Sequence, residues 1–293
     1  MFERIVVGFD ESEGSRDALA LGRRLADRLG ADLVVVGVVP LPTGGSLMPA
    51  LPANAFTNLV EKAEAGINKA AEEFRATTEI VQSSSAARGL EELTEKLEGD
   101  LLVLGCTGTD PGLVRAGHKA RVLMQGSRCA VALAPVGYRD TEAGLSVIGV
   151  AIDGSPEAAH ALDAAVEIAG GEEVRLIAVA TDLAESWGFW GATYALTELG
   201  DASRDAAKKI LDQAAGSLPE GVNSTTVMAE GFAPIELRKQ SAEGLDLLCL
   251  GSRGYGPLLR VLLGSVSSEL VHEVSCPVVL IPRGADPDGA GAD

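Results

Sequence analysis

The chain has 293 residues, with 24 basic and 42 acidic side chains, so its formal charge is −18 and its isoelectric point lies near 4.6. Apolar residues make up 46% of the sequence, which is enough to build a hydrophobic core in each of two domains. This acidity argues against a nucleic acid or an anionic membrane as the main partner, because both bind through basic patches. No apolar run approaches the ~18 residues of a membrane span. The N-terminus runs directly into a strand pattern rather than a signal peptide, so we expect a cytoplasmic protein.

Strand and helix patterns alternate along the first half of the chain. The predicted elements are, in chain order, a strand at 4–9, a helix at 15–28, a strand at 33–39, a helix from about 55 to 74, a strand at 79–82, a helix at 90–98, a strand at 101–104, a helix at about 119–125 and a strand at 131–134. Short apolar strands that alternate with helices are typical of an α/β fold with a doubly wound parallel sheet.

The second half repeats this order. Its predicted elements are a strand at 147–152, a helix at 156–169, a strand at 174–180, a helix from about 194 to 215, a strand at 225–228, a helix at 235–243, a strand at 247–250, a helix at 265–274 and a strand at 278–281. The landmarks recur in register: IVVGFD at 5–10 returns as IGVAID at 148–153, and LLVLG at 101–105 returns as LLCLG at 247–251. We therefore predict two tandem domains, residues 1–137 and 145–283, followed by a disordered tail at 284–293.

Two strand ends in the second half carry candidate ligand-binding residues. In open parallel sheets, ligands bind beyond the carboxyl ends of the strands, where helix N-termini present free amides. The first strand ends at Asp153, and the fourth opens a glycine-rich loop, Gly251-x2-Gly254-x9-Gly264-Ser265, that leads into a helix. Glycines allow a backbone to approach a phosphate closely, and Arg253 places a positive charge in an otherwise acidic half. The alternative is a purely structural role, in which the glycines only turn the chain and Asp153 and Ser265 are helix caps.

These motifs, with the closing strand that begins Cys276-Pro277-Val278, resemble a universal stress protein domain, and the duplicated chain resembles the tandem type of that family. The resemblance covers about residues 2–136 and 146–283. It implies, for each half, a five-stranded parallel sheet flanked by helices, a Rossmann-like fold of the adenine nucleotide alpha hydrolase type. In the ATP-binding branch of the family it also implies a nucleotide in the crevice, with Mg²⁺ bridging the phosphates.

Carried over by position, the resemblance assigns a role to each motif of the second half. Asp153 would meet the adenosine part and Val179 would give backbone contacts to the adenine. The remaining residues would shape the loop or hold the phosphates: Gly251, Gly254, Gly264, Ser265, Val266 and Ser267. With Arg253 they make up the predicted nucleotide-binding set.

The first half departs from this pattern. Its loop has eight residues rather than nine between Gly108 and Gly117, and His118 stands where the family has serine or threonine. A missing residue changes the path of the loop, and the lost hydroxyl removes a phosphate ligand, although Lys119 could substitute by charge. We therefore expect at most a weaker first site, built from equivalent positions: Asp10, Val38, Gly105, Gly108 and Gly117.

No catalytic motif accompanies these sites. The sequence has neither a P-loop lysine nor a G-x-S-x-G nucleophile elbow, so we expect nucleotide binding with at most slow hydrolysis. The four cysteines have no zinc-ligand spacing, and no metal site is predicted. Cys106 is a candidate redox-sensitive thiol, with a merely structural cysteine as the alternative.

Two further expectations concern partners. We expect the two halves to pair with each other through their last strands. The sequence is also compatible with the association of two chains into a homodimer. The rival function is a nucleotide-independent interaction protein of the same fold, which would act through its acidic surface or the aromatic segment 187–194.

Overall fold

The computed structural model describes residues 2–40, 55–142, 144–181, 193–255, 261–262 and 265–282. Two predictions fall outside them: the disordered tail at 284–293 and the role of Trp187 and Trp190 in the aromatic segment. The chain forms two compact units, Met1–Gly144 with Val271–Val279, and Leu145–Leu270 with Leu280–Asp293.

The first unit alternates strands and helices as predicted. Its elements are β1 (Arg4–Gly8), α1 (Glu13–Leu29), β2 (Asp32–Pro40), α2 (Ala55–Phe74), β3 (Thr77–Ser83), α3 (Ala86–Lys96), β4 (Leu101–Gly105), α4 (His118–Gly126) and β5 (Ala130–Ala134). The five strands form a parallel sheet in the order β3-β2-β1-β4-β5. The strand order reverses between β1 and β4, which is where open α/β sheets form a crevice. The predicted fold class is confirmed.

Apolar runs build the centre of this sheet because parallel strands are covered on both faces. In β1, the side chains of Ile5, Val6 and Val7 are fully buried. Val6 pairs with Val34 of β2 on one side and with Leu102 of β4 on the other. The carboxyl ends of β1, β2 and β4 therefore lie together at one edge.

The second unit repeats the arrangement. Its elements are β6 (Val147–Ala151), α5 (Pro156–Ala169), β7 (Glu173–Ala180), α6 (Thr193–Ser217), β8 (Ser224–Glu230), α7 (Ala233–Ala242), β9 (Leu247–Gly251), β10 (Arg253–Tyr255), β11 (Val261–Leu262) and α8 (Ser265–Leu270). The last strand of the chain, β12 (Val278–Ile281), begins in the segment that belongs to the first unit and ends in the second. Four of its strands pair in parallel in the order β9-β6-β7-β8. β6 therefore occupies the same place in its sheet as β1 does in the first unit.

Two details of the second unit differ from the sequence prediction. The glycine-rich loop contains a short antiparallel pair, in which Arg253 of β10 is opposite Leu262 of β11. The helix predicted at 265–274 ends at Leu270. None of the helices in the described part of the chain has the length and apolar character of a membrane span.

A short 3-10 helix, Tyr138–Asp140, follows β5 and is held against α1. The Asp17 carboxylate, which is only 2% exposed, accepts hydrogen bonds from the backbone amides of Gly137 at 2.8 Å and Arg139 at 3.1 Å. The Arg24 guanidinium lies 4.6 Å from the centre of the Tyr138 ring. The residues of this 3-10 helix fall between the two domains that the sequence predicts, at 1–137 and 145–283, and nothing in the sequence indicates their attachment to α1.

Candidate functional site

The same turn follows the first strand of each unit. The carboxylate Oδ1 of Asp10 accepts hydrogen bonds from the amide and hydroxyl of Ser12, and Oδ1 of Asp153 accepts the same pair from Ser155. Each serine is also the N-cap of the next helix, because its hydroxyl accepts a hydrogen bond, at 3.2 Å, from the backbone amide of the residue three positions later. These bonds fix each aspartate between a strand end and a helix N-terminus.

Close backbone packing explains one glycine in each unit. A Cβ placed on Gly105 would lie 1.9 Å from the carbonyl oxygen of Gly14 in α1. A Cβ on Gly251 would lie 2.6 Å from the carbonyl carbon of Glu157 in α5. Glycine therefore lets the last residue of β4 or β9 touch the first turn of the helix that starts at the aspartate. In each unit, the ends of the two neighbouring strands (β1 and β4, or β6 and β9) and the N-terminus of the helix therefore lie together.

A cavity of about 270 Å³ opens at this point in the second unit. Five of the residues predicted from the sequence line it: Asp153, Val179, Gly251, Val266 and Ser267. The Ser267 side chain is 5% exposed, and its hydroxyl donates to the carbonyl oxygen of Gly251 at 3.3 Å. Ser267 thereby connects the start of α8 to the end of β9.

Helices that sequence reasoning did not assign to the site complete this cavity. Ser203, Ala206, Ala207 and Ile210 reach it from α6, and Leu237 reaches it from α7. No motif marks these positions, because they meet the cleft only through the packing of α6 and α7 on the sheet.

The other predicted residues of the second unit lie in the glycine-rich loop. Arg253 and Gly254 belong to β10, and Ser265 is the first residue of α8; the structure describes the backbone but not the side chains there. Gly264 lies outside the described residues.

The first unit has a cavity of about 320 Å³ in the equivalent place. Four of the five residues predicted for a first site line it: Asp10, Val38, Gly105 and Gly117. Gly108 does not; it has a φ of 139° in the loop beyond the cavity. Cys106, Thr107, His118 and Lys119 also line the cavity.

The first-unit loop closes on itself. The amide of Thr107 donates to the carbonyl oxygen of Arg115 at 3.0 Å, and the Arg115 guanidinium lies 3.3 Å from a carboxylate oxygen of Asp110. Gly117 is then the N-cap of α4 and supplies no capping side chain. The shorter loop thus places His118 and Lys119 at the cavity.

The charges of the first cavity are partly paired. Lys119 Nζ lies 3.7 Å from Oδ2 of Asp10. Burial raises the pKa of Asp10, but the bonds from Ser12 and the charge of Lys119 outweigh it, so the pKa is lower than that of an ordinary aspartate.

Cys106 is a poor candidate for a redox-sensitive thiol. It is 5% exposed, and burial raises its pKa to about 12, although its sulfur accepts a hydrogen bond from the Arg115 amide. Among the residues that the structure describes, no cluster of three or more histidine, cysteine, aspartate or glutamate side chains is arranged to hold a metal ion.

Two tandem α/β units, each with a cleft at the switch point of a parallel sheet, define the class of open, doubly wound α/β proteins. A family model described as the universal stress protein family matches the chain twice, at residues 1–135 and 145–282. The chain therefore belongs to the universal stress protein family and carries two of its domains.

Individual relatives agree with this assignment. Universal stress protein YxiE of Bacillus subtilis is 33% identical over 141 residues, which cover 45% of this chain and 95% of that protein. A universal stress protein of Mycobacterium tuberculosis is 33% identical over 98 residues, which cover 33% of this chain and only 30% of that protein.

Two solved structures resemble almost the whole chain. The crystal structure of a universal stress protein from Archaeoglobus fulgidus superposes with a TM-score of 0.69 at 19% identity, covering 96% of this chain and 98% of that one. A functionally unknown protein from Pseudomonas aeruginosa superposes with a TM-score of 0.66 at 14% identity, covering 97% and 93%. At these identities the likeness shows the fold alone.

Proposed function

We propose that the second unit binds ATP, with Mg²⁺ bridging the phosphates, and that the protein acts as a nucleotide-responsive stress or regulatory factor. The observation that supports this most directly is the cavity at the carboxyl ends of β6, β7 and β9. It gathers side chains that are far apart in sequence, from Asp153 to Ser267. Its volume, about 270 Å³, is close to the ~300 Å³ at which ligand pockets begin.

The lining of this cavity suits a nucleoside. Ile177, Ile210 and Leu237 offer apolar surface for a base. Val179 lies at the end of β7, where backbone groups can form hydrogen bonds with the edge of the base. The Asp153 carboxylate, oriented by Ser155, is an acceptor for ribose hydroxyls.

The phosphates would extend toward the glycine-rich loop. By family resemblance, Gly254, Gly264, Ser265, Val266 and Ser267 would hold them through backbone amides and hydroxyls, and Gly251 shapes the start of the loop. Arg253 would contribute a positive charge. A Mg²⁺ ion retains several waters and binds through phosphate oxygens, so it would arrive with the nucleotide.

Paired glycine variants test the proposal. Gly264→Val should abolish the binding of Mg·ATP measured by calorimetry, while the circular dichroism spectrum and thermal transition stay close to those of the wild type. Gly117→Val at the equivalent place in the first unit is the matched control and should leave binding unchanged. Equal loss in both variants, or no loss in either, would contradict a site in the second unit.

Turnover is a separate property. We expect phosphate release from ATP to be slow, because the chain supplies no P-loop lysine and no assigned base. Comparison of the wild type with Gly264→Val decides this: a rate well above that of the variant would identify an enzyme.

A nucleotide-independent interaction protein is the second candidate, and exposed apolar side chains favour it. Phe232 and Ile235, around the first turn of α7, are 55% and 46% exposed. Surface apolar residues of this size are typical of partner-binding sites when they cluster. An absence of binding at millimolar Mg·ATP would favour this function.

Pairing of the two halves, a homodimer and a cytoplasmic location remain predictions.

A further inference from the structure

The two clefts differ at one backbone position. The residue after each aspartate adopts a left-handed conformation, with φ 62° at Glu11 and φ 79° at Gly154. Glycine enters this region freely, whereas a residue with a Cβ is strained there. Strain of this kind concentrates at functional sites.

The strained backbone directs the Glu11 side chain onto helix α2. A Cβ placed on Gly66 would lie only 1.7 Å from Oε1 of Glu11, so the carboxylate rests directly on the helix backbone at this glycine. In the second unit the corresponding residue, Gly154, has no side chain to project. A Cβ there would instead meet Ile210 of α6 at 3.3 Å.

The cavities differ in the same place. In the second unit one cavity extends from Gly251 at the strand end to Ala206 and Ile210 of α6. In the first unit the corresponding helix residues, Ala63 and Ile67 of α2, do not line the 320 Å³ cavity.

These α2 residues line a second cavity of about 240 Å³, together with Glu11. Phe9, Asp10 and Val38 line both cavities of the first unit, whereas Glu11 lines only the one next to α2. In the first unit, Gly105 at the strand end and Ala63 of α2 therefore line different cavities, whereas Gly251 and Ala206 of the second unit line the same one.

We propose that Glu11 is a specificity-determining residue, which occupies the side of the first cleft next to α2 and so confines nucleotide to the second unit. This inference rests on the proposed nucleotide site of the second unit. Glu11 acts in two ways. Its side chain lies against α2 at Gly66, where Gly154 of the second unit has no side chain to project. Its negative charge adds to that of Asp10 and repels phosphate groups, against the positive charges of Lys62 and Lys119 that line the two cavities.

The test uses the full chain with the second site disabled by Gly264→Val. Glu11→Gly is introduced into this background, and the binding of Mg·ATP and of AMP is measured by calorimetry. Glu11→Gln keeps most of the side-chain volume and removes the charge. Glu98→Gly is the matched control, because Glu98 also has a left-handed backbone, with φ 51°, but lines neither first-unit cavity.

The expected result is a gain of at least about tenfold in the affinity of Glu11→Gly for one of the two nucleotides, which corresponds to about 1.4 kcal/mol. Glu11→Gln should gain less, and Glu98→Gly should gain nothing. In the unaltered Gly264 background, Glu11→Gly should raise the stoichiometry from one nucleotide per chain to two.

Failure of this inference can be distinguished from failure of the proposed function. If the wild type binds one nucleotide and loses it in Gly264→Val, but Glu11→Gly gains none, the role of Glu11 is wrong and the second site stands. Two nucleotides bound to the wild type would likewise overturn exclusion by Glu11. If the wild type and Gly264→Val behave alike, the second-unit site is wrong. Thermal unfolding of each variant confirms that it is folded.

Discussion

Replacement of Gly251 by alanine should weaken the second unit, because β9 and α5 touch at this residue. An added Cβ would lie 2.6, 2.7 and 2.9 Å from three backbone atoms of Glu157 and Ala158. Carbon atoms in good contact lie about 3.5–4.0 Å apart, so the first turn of α5 would have to move by roughly 1 Å. Backbone atoms cannot rotate away as a side chain can.

The size of the effect follows from two opposing contributions. Overpacking of this kind costs about 1–3 kcal/mol of folding free energy. Alanine recovers about 0.5–1 kcal/mol, because its unfolded chain has less conformational entropy than glycine. We therefore expect Gly251→Ala to lower the free energy of unfolding by about 1 kcal/mol, and by no more than about 2.5 kcal/mol. The same shift of α5 moves Asp153, so nucleotide affinity should fall as well.

Urea unfolding followed by circular dichroism measures this loss. Gly216→Ala is the matched control: apart from its chain neighbours and the backbone of its own helix, no atom lies within 4 Å of its added Cβ, and helix propensity predicts a gain of about 0.5–1 kcal/mol. A Gly251→Ala protein as stable as Gly216→Ala would refute the close-packing argument.

Three further predictions follow from individual contacts. Ser155→Ala removes the N-cap of α5 and should lower the free energy of unfolding by about 1 kcal/mol in urea, whereas no change would mean that the cap is redundant. Asp10 has a lowered pKa when folded, so its ionised form stabilises the protein above the ordinary aspartate pKa of about 3.9, and this contribution is lost as pH falls through the folded pKa. The difference in melting temperature between wild type and Asp10→Asn should therefore shrink below about pH 4, and a difference that is constant from pH 3 to 7 would contradict it. Cys106, whose pKa is raised to about 12 by burial, should resist iodoacetamide at pH 8 until urea unfolds the chain, and labelling of the native protein at the rate of a free thiol, located by mass spectrometry, would contradict this.

The fold could be predicted because its signals are local. The apolar runs in β1, β4, β6 and β9 and the recurrence of the motif that ends at Asp10 and Asp153 need no tertiary information. Parallel strands with helical crossovers then leave few possible topologies.

The missed features depend on residues far apart in the chain. The pairing of β10 with β11 and the contact between Asp17 and Gly137, 120 residues away, arise only in the folded protein. Gly251 belongs to the loop motif, but its contact with α5 has no signature in the sequence.

The candidate site likewise combines residues with a local signal in the sequence and residues that only the folded chain brings together. Asp153 could be found because strand ends are predictable, and Val179 because of the family resemblance. Ala206 and Ile210 line the cleft only through the placement of α6. The orientation of Glu11 likewise needs both its φ angle and the glycine on α2 opposite it.

The central claim is one ATP site per chain, in the second unit. The most direct measurement is to denature freshly purified protein, identify any released nucleotide by chromatography and mass, and count it per chain. The claim predicts about one ATP per chain in the wild type and none in Gly264→Val; an empty wild-type preparation would be titrated with millimolar Mg·ATP and should then bind one. A wild-type protein that releases no nucleotide and still binds none in that titration would contradict it.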